Sequence, residues 1–289
     1  MIKTLKKGDS AYLVAPSFPI ENKREFYKGI EIIKNWGLKV HQNESIYKKH
    51  GYFAGDDNCR FFDIERAQKS ELIICARGGW GASRVLEKNP NWGDGWMLGF
   101  SDACSLLLSK YSKGKLGSIH GPMISTLPNE PIWSVNRLKN LLFKGYVDDI
   151  KGFSLKKGVA FGEIIVTNLT IICFLIGTNH LPNMEGKILI FEDTNEELYK
   201  IDRMLTYLRM SKRIDKITGL AFGNFFNKKN IKEQLLLEDL ILERFKEFNI
   251  PIVSKLPIGH IQGNAAIPIG FKGCLNGNEG NLTIDLLLN

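Results

Sequence analysis

The segment Gly99-Phe100-Ser101-Asp102 joins an apolar run, Trp96–Phe100, directly to a helical pattern that continues from Ala103 toward Tyr111. A serine at such a junction sits on a sharp turn, with its Oγ exposed at the carboxyl edge of a sheet. The turn also aims a helix N-terminus at a reacting carbonyl, and the backbone N–H of Asp102 can donate to an oxyanion. Ser101 is therefore a candidate nucleophile. A plain helix N-cap uses the same residue type, and the G-x-S-x-G pattern ends in Ala103 instead of glycine. A second turn, Arg77-Gly78-Gly79-Trp80-Gly81, follows another apolar run, Glu71–Ala76. Its glycines permit close backbone approach and positive φ, so this turn could supply a second oxyanion donor. It satisfies neither G-x-G-x-x-G nor the P-loop pattern. Arg77 could clamp a carboxylate or make a structural ion pair.

A serine nucleophile needs a base, and the base needs an orienting acid. Histidines stand at 41, 50, 120, 180 and 260. His41 and His50 lie in a polar, Lys-rich stretch and read as solvated. Spacing alone does not choose among His120, His180 and His260. Glu192 and Asp193 end the apolar run Lys187–Phe191, and a carboxylate at a strand's carboxyl end is well placed for a site. Helix capping is the competing role for Asp193. Cys104 is a rival nucleophile, but its place inside the helical pattern turns it toward packing. HExxH and Cys/His ligand clusters do not occur, so the sequence gives no support for a metal and calls for no cofactor.

The elements that must hold these residues alternate. Apolar runs at Ala11–Ala15, Leu38–Val40, Glu71–Ala76 and Trp96–Phe100 read as strands, and Glu21–Trp36, Asn58–Lys69 and Gly81–Lys88 as helices. This alternation predicts a parallel α/β sheet. Residues 122–158, with Pro128 and Pro131 and one helical piece at Val135–Phe143, read as a connection between an N-terminal domain (1–121) and a C-terminal domain (159–289). The second half predicts helices over Asn168–Ile176, Ile201–Met210 and Ile231–Phe248. Strands are expected at Lys187–Phe191, Leu220–Phe222 and Pro251–Ser254, and a hairpin over Leu275–Leu288. A cleft is expected where the two domains meet.

With 289 residues, 44% hydrophobic and 24% charged, the chain can bury a proper core, and the composition excludes a disordered, collagen-like or coiled-coil protein. The net charge is +8, but 29 Lys stand against 10 Arg, spread along the chain. Arg is the preferred residue for bidentate phosphate and base contacts, so a solvated basic surface is expected rather than a nucleic-acid footprint. Five cysteines without a CxxC point to a reducing compartment. The apolar stretches are too short for a signal segment or a membrane span. A soluble cytoplasmic protein is the expectation.

Several motifs in order carry a family resemblance: VAPS (14–17), YFAGDD (52–57), ICARGGWG (74–81), LGFSDACSLL (98–107), IHGPM (119–123), GTNHLP (177–182), KILIFEDTNEELYKIDRML (187–205) and IPIVSKLPIGH (250–260). Together they resemble the serine LD-carboxypeptidases of murein recycling, the muramoyltetrapeptide carboxypeptidases. The resemblance runs nearly end to end. It implies a flavodoxin-like N-terminal domain, a smaller C-terminal α/β domain, and a triad of Ser101 (nucleophile), Glu192 (orienting acid) and His260 (general base). It implies oxyanion donors at the backbone N–H of Asp102 and of a glycine in the Arg77 turn, with Gly79 favoured. Arg77 and Gly78 are implied substrate contacts. The implied partners are a murein tetrapeptide or muropeptide and a second copy in a homodimer, with no nucleic acid or membrane. The chain departs from the family at Val166-Thr167, where Gly-Gly is usual before Asn168, and at Trp80, where Tyr is common. Two other readings are a microcin C-type immunity peptidase acting on peptidyl or aminoacyl nucleotides, and a non-catalytic binding module on the same fold.

Overall fold

A computed structural model describes residues 2–225 and 231–286. Apolar runs form β1 (Ser10–Val14), β3 (Leu72–Cys75) and β4 (Trp96–Gly99), while the largely polar β2 (Lys39–Gln42) and the short β5 (Ser118–His120) pair on either side of them. Between them lie α1 (Lys23–Asn35), α2 (Asp57–Ala67), α3 (Ala82–Leu86) and α4 (Cys104–Ser112). Two of these helices, α1 and α2, start where the sequence supplies a side-chain cap. The Asn22 side chain accepts the Glu25 N–H, and Asp56 accepts that of Cys59, which satisfies N–H groups that an α-helix leaves open. Every residue of β3 and β4 is buried, as a parallel sheet covered on both faces requires.

The chain continues through α5 (Ile132–Lys144), β6 (Ile150–Lys151), β7 (Phe153–Lys156) and β8 (Val159–Asn168). Next come α6 (Leu169–Leu175), β9 (Lys187–Glu192), α7 (Leu198–Met210), β10 (Gly219–Phe222), α8 (Ile231–Arg244) and β11 (Ile252–Ser254). The last strands are β12 (Ile267–Pro268), β13 (Lys272–Asn276) and β14 (Asn281–Asp285). β13 and β14 pair as the expected hairpin; its last expected residues, 287 and 288, lie outside the described residues.

Two sheets result. The first runs β12-β5-β4-β3-β1-β2. Its five parallel strands have the flavodoxin-like order 2-1-3-4-5. β12 comes from the far end of the chain and pairs antiparallel with β5, Ile267 opposite His120. The second sheet runs β6-β14-β13-β8-β9-β10-β11-β7. It is mixed, with eight strands against six in the first. Residues 122–158, expected as a connection, contribute α5 together with β6 and β7, which occupy the two edges of this second sheet.

The fold brings five strand ends together. Ser101 follows β4, the Arg-Gly-Gly turn follows β3, His120 ends β5, Glu192 ends β9, and His260 lies beyond β11. Clefts outside the carboxyl ends of parallel strands are where open α/β sheets bind ligands.

Candidate active site

Ser101 has φ +59°, in the left-handed region that side chains other than glycine rarely occupy. The strain is the elbow expected from the sequence. β4 ends at Gly99, Phe100 stays extended, and a 3₁₀ turn over Ser101–Ala103 runs straight into α4. Ser101 opens onto a cleft of about 410 Å³, whose lining includes Glu21, Arg77, Gly78, Met123, Thr126 and His260.

The expected triad residues come together from distant parts of the chain. His260 Nδ1 lies 2.8 Å from Glu192 Oε2, and Glu192 is fully buried. Burial raises the Glu192 carboxyl, but His120 and His260 beside it outweigh this and bring it down to about 2. Burial lowers the His260 imidazole; the carboxylates of Glu192 and Asp193 overcome that and hold it above its ordinary value. Ser101 and His260 line the same cleft, and no hydrogen bond joins them among the described residues. Catalytic bonds of this kind often tighten only with substrate present.

The loop that presents His260 is built for the purpose. Gly259 has φ +113°, and a Cβ there would lie 2.8 Å from Glu192 Oε2. The Gly259 N–H donates to Asn264 Oδ1 at 3.0 Å. Glu130, just before α5, accepts the N–H groups of Gly263 and Asn264 at 2.8 and 3.0 Å. The Ser134 hydroxyl donates to the Asn264 carbonyl at 2.9 Å. Sequence reasoning missed Glu130 and Asn264, because their partners lie far away in the chain and no local pattern marks them.

The two glycine-bearing turns are also tied down. The buried Asp102 carboxylate accepts from Ser17 Oγ at 2.6 Å and from the Ala82 N–H at 2.8 Å. It thereby links VAPS, the glycine turn and the elbow. Burial pushes its carboxyl up to about 6. Arg60, also buried, donates from one Nη1 to the carbonyls of Pro16 and Gly81, 2.6 Å each, and pairs with Asp57. The sequence singled out the backbone of Asp102; its side chain as a tie was missed. Gly79 has φ +126°, and a Cβ there would meet the Phe18 ring at 2.3 Å. Gly78 lies closest to the nucleophile, where an added Cβ would sit 3.0 Å from Ser101 Oγ. Gly78→Ala should therefore lower kcat/KM by about 10-fold or more through displacement of Ser101. Steady-state kinetics check this, with the melting temperature held nearly constant.

The remaining candidates separate. Arg77 pairs with the exposed Glu21 at 2.9 Å and donates to the Pro19 carbonyl at 3.2 Å, at the wall of the cleft. His180 is buried against Ser109 Oγ at 2.8 Å, outside the cleft lining. His41 and His50 are exposed. Cys104 is fully buried, and burial pushes its thiol up, which disfavours the thiolate a nucleophile needs. Asp193 takes the capping role, accepting the Thr170 N–H at 2.9 Å and Asn168 Nδ2 at 3.1 Å at the start of α6. Val166 and Thr167 sit buried in the β8–β9 ladder opposite Ile190 and Phe191. Trp80 packs its ring on Phe174 at 5.4 Å. A positive-φ serine, a backbone turn at its side and a carboxylate-held imidazole can together attack a carbonyl, hold an oxyanion and move a proton. No described helix is long and apolar enough to cross a membrane.

Comparison with known proteins identifies the family of the chain. Residues 12–121 match the LD-carboxypeptidase N-terminal domain, and residues 161–275 match the LD-carboxypeptidase C-terminal domain. A relative from Synechocystis sp., named as a carboxypeptidase without a stated substrate, is 34% identical over 96% of this chain and 95% of its own. The murein tetrapeptide carboxypeptidase of Pseudomonas aeruginosa is 28% identical over 84% of this chain and 85% of its own. Among solved structures, the muramoyltetrapeptide carboxypeptidase of Oxalobacter formigenes superposes with a TM-score of 0.84 at 22% identity, covering 97% of this chain and all of that one. The microcin C7 self-immunity protein MccF superposes with a TM-score of 0.87 at 18% identity, covering 100% of this chain and 99% of that one. Both the matched domains and the end-to-end relatives give one answer: the chain belongs to the LD-carboxypeptidase family and is a hydrolase of the carboxypeptidase class.

Proposed function

We propose that the protein is a serine LD-carboxypeptidase that releases the terminal D-Ala from murein tetrapeptide, with Ser101 as nucleophile, His260 as general base and Glu192 as orienting acid. The observation that carries this reading is the 2.8 Å His260–Glu192 pair, set at the cleft onto which the positive-φ Ser101 opens. His260 Nε2 takes the proton of Ser101 Oγ as the oxygen attacks the carbonyl between the L-centre of the third residue and D-Ala. The backbone N–H groups of Asp102 and Gly79 receive the oxyanion, each worth about 3–4 kcal/mol. The imidazolium then gives its proton to the departing D-Ala amine as the C–N bond breaks. Water, deprotonated by the same imidazole, splits the acyl-enzyme and returns Ser101. Glu192 holds Nδ1–H throughout and stabilises the imidazolium.

A carboxypeptidase must also read the free carboxylate beside the scissile bond. Arg77 stands at the cleft wall with a guanidinium suited to that task, beside Gly78 in the turn. Its partner Glu21 is exposed and is the group a substrate carboxylate would displace. In this reading the protein works in the cytoplasm on muropeptides returned from the wall, as a homodimer.

The test is a mass-spectrometric panel run with chelator present. It holds a murein tetrapeptide with diaminopimelate or Lys as third residue, the matching pentapeptide, and an aminoacyl sulfamoyl adenosine. The expected result is loss of one D-Ala from a tetrapeptide only. Cleavage of the nucleotide compound alone would replace the murein reading with an immunity-peptidase one. Turnover of nothing in the panel would favour a binding role.

A further inference from the structure

The catalytic carboxylate has two oxygens, and the triad uses one. Glu192 Oε2 holds His260, while Oε1 is buried with no hydrogen-bond partner among the described residues. A second imidazole faces it. His120 Nε2 lies 3.7 Å from Oε1, and both side chains are fully buried. Neither ring nitrogen of His120 has a partner among the described residues. Two fully buried polar groups that face each other without protein partners are costly apart and favourable joined. At 3.7 Å the gap is too long for a finished hydrogen bond. A sub-ångström shift of the ring closes it.

The fold explains how His120 reaches this place. It ends β5 with Gly99 of β4 beside it on one side and Ile267 of β12 on the other. The Phe100 ring stands edge-on to both imidazoles, 5.8 Å from His120 and 5.0 Å from His260. The titratable groups facing this pocket are Glu192 from β9, Cys104 from α4 and His260 from the loop after β11. Asp193 acts on His260 from beside Glu192 while its carboxylate is tied to α6. Cys104 lies with its sulfur within 4.8 Å of the other two donor atoms, and burial favours its protonated form.

We propose that His120 is a positioning residue for Glu192, its Nε2–H serving the carboxylate oxygen that His260 leaves free. The inference rests on the triad proposed above. A neutral donor on Oε1 stabilises the carboxylate most when His260 is also neutral, because that state carries an uncompensated buried charge. It therefore holds down the pH at which the dyad takes its proton. His120→Leu removes the donor at similar bulk, and the acid limb of its kcat/KM profile should move up by about one pH unit. His120→Gln, which keeps an N–H near the same place, should retain the wild-type midpoint.

Loss of rate in both variants with an unmoved midpoint would overturn the proposal and leave His120 as packing. A variant-independent measurement is the ring tautomer of His120 in the wild type, read by long-range ¹⁵N–¹H NMR. A protonated Nε2 slow to exchange is expected. A proton on Nδ1 alone, or a zinc-dependent shift of both nitrogens that Cys104→Ser removes, would overturn it. The tautomer is read without turnover, so it stands apart from the substrate panel. Failure of the panel with an Nε2 proton in place would count against the triad's proposed role and not against the contact.

Discussion

Ser101→Ala should leave no detectable D-Ala release from murein tetrapeptide, a fall of about 10⁴-fold or more in kcat. Triad residues act as a unit, so removing the nucleophile leaves the imidazole and the oxyanion donors with nothing to activate. The substitution is mild structurally. Alanine has no easier access to φ +59° than serine, so the elbow keeps its strain and the melting temperature should stay within a few degrees. Binding should also survive, since Arg77, Gly78 and His260 still line the cleft. The check is mass spectrometry of variant and wild type side by side with chelator present. Equal cleavage by both would remove Ser101 from the chemistry and reduce the elbow to a strained helix start.

Glu192→Gln should be nearly as severe, with about 10⁴-fold lost from kcat by the loss of tautomer control and of the charge that faces the imidazolium. Its pH profile separates this from simple misfolding. The wild-type carboxyl is held near 2, so it is ionised at any practical assay pH. His260 is held above its ordinary value of about 6.5. Because the base works only when neutral, wild-type activity should fall as pH drops through that raised midpoint. An uncharged glutamine cannot stabilise imidazolium, and burial then dominates, so the residual activity of the variant should show an acid limb at lower pH. This displacement is opposite in sign to the one expected for His120→Leu. A variant whose limb stays at the wild-type midpoint would show that Glu192 does not set the state of His260.

The legible parts of this site share a local signature. The elbow and the Arg77 turn each join a strand, a turn and a helix within a dozen residues, and backbone demands of that kind leave their mark in residue type. Strands such as β1, β3, β4 and β9 that show a short apolar run were also readable, as was the β13–β14 hairpin; β8, ten residues long, was missed, because Gly162, Glu163 and Thr167 interrupt its apolar residues. His260 was not separable from His120 and His180 by spacing, because what distinguishes it is a partner on another strand. The family resemblance supplied that choice through the IPIVSKLPIGH segment. Strands of two or three residues, such as β5, β6 and β12, are too short for any periodicity. Their existence is decided by the sheet they join. Glu130 and Asn264 escaped for the same reason: their hydrogen bonds bridge segments more than a hundred residues apart in the chain.

β12 has a consequence for how the enzyme comes into being. Ser101 and the five parallel strands around it leave the ribosome early, yet the sheet they build has an open edge at β5 until Ile267 and Pro268 arrive to cover it. Exposed strand edges invite pairing with other chains, and during synthesis this one is bare for more than half the length of the protein. The same late segment delivers His260 only a few residues ahead of the covering strand. Closing the edge and bringing His260 to the cleft are thus nearly one event, and a chain that stops short of them holds the strained Ser101 without the imidazole.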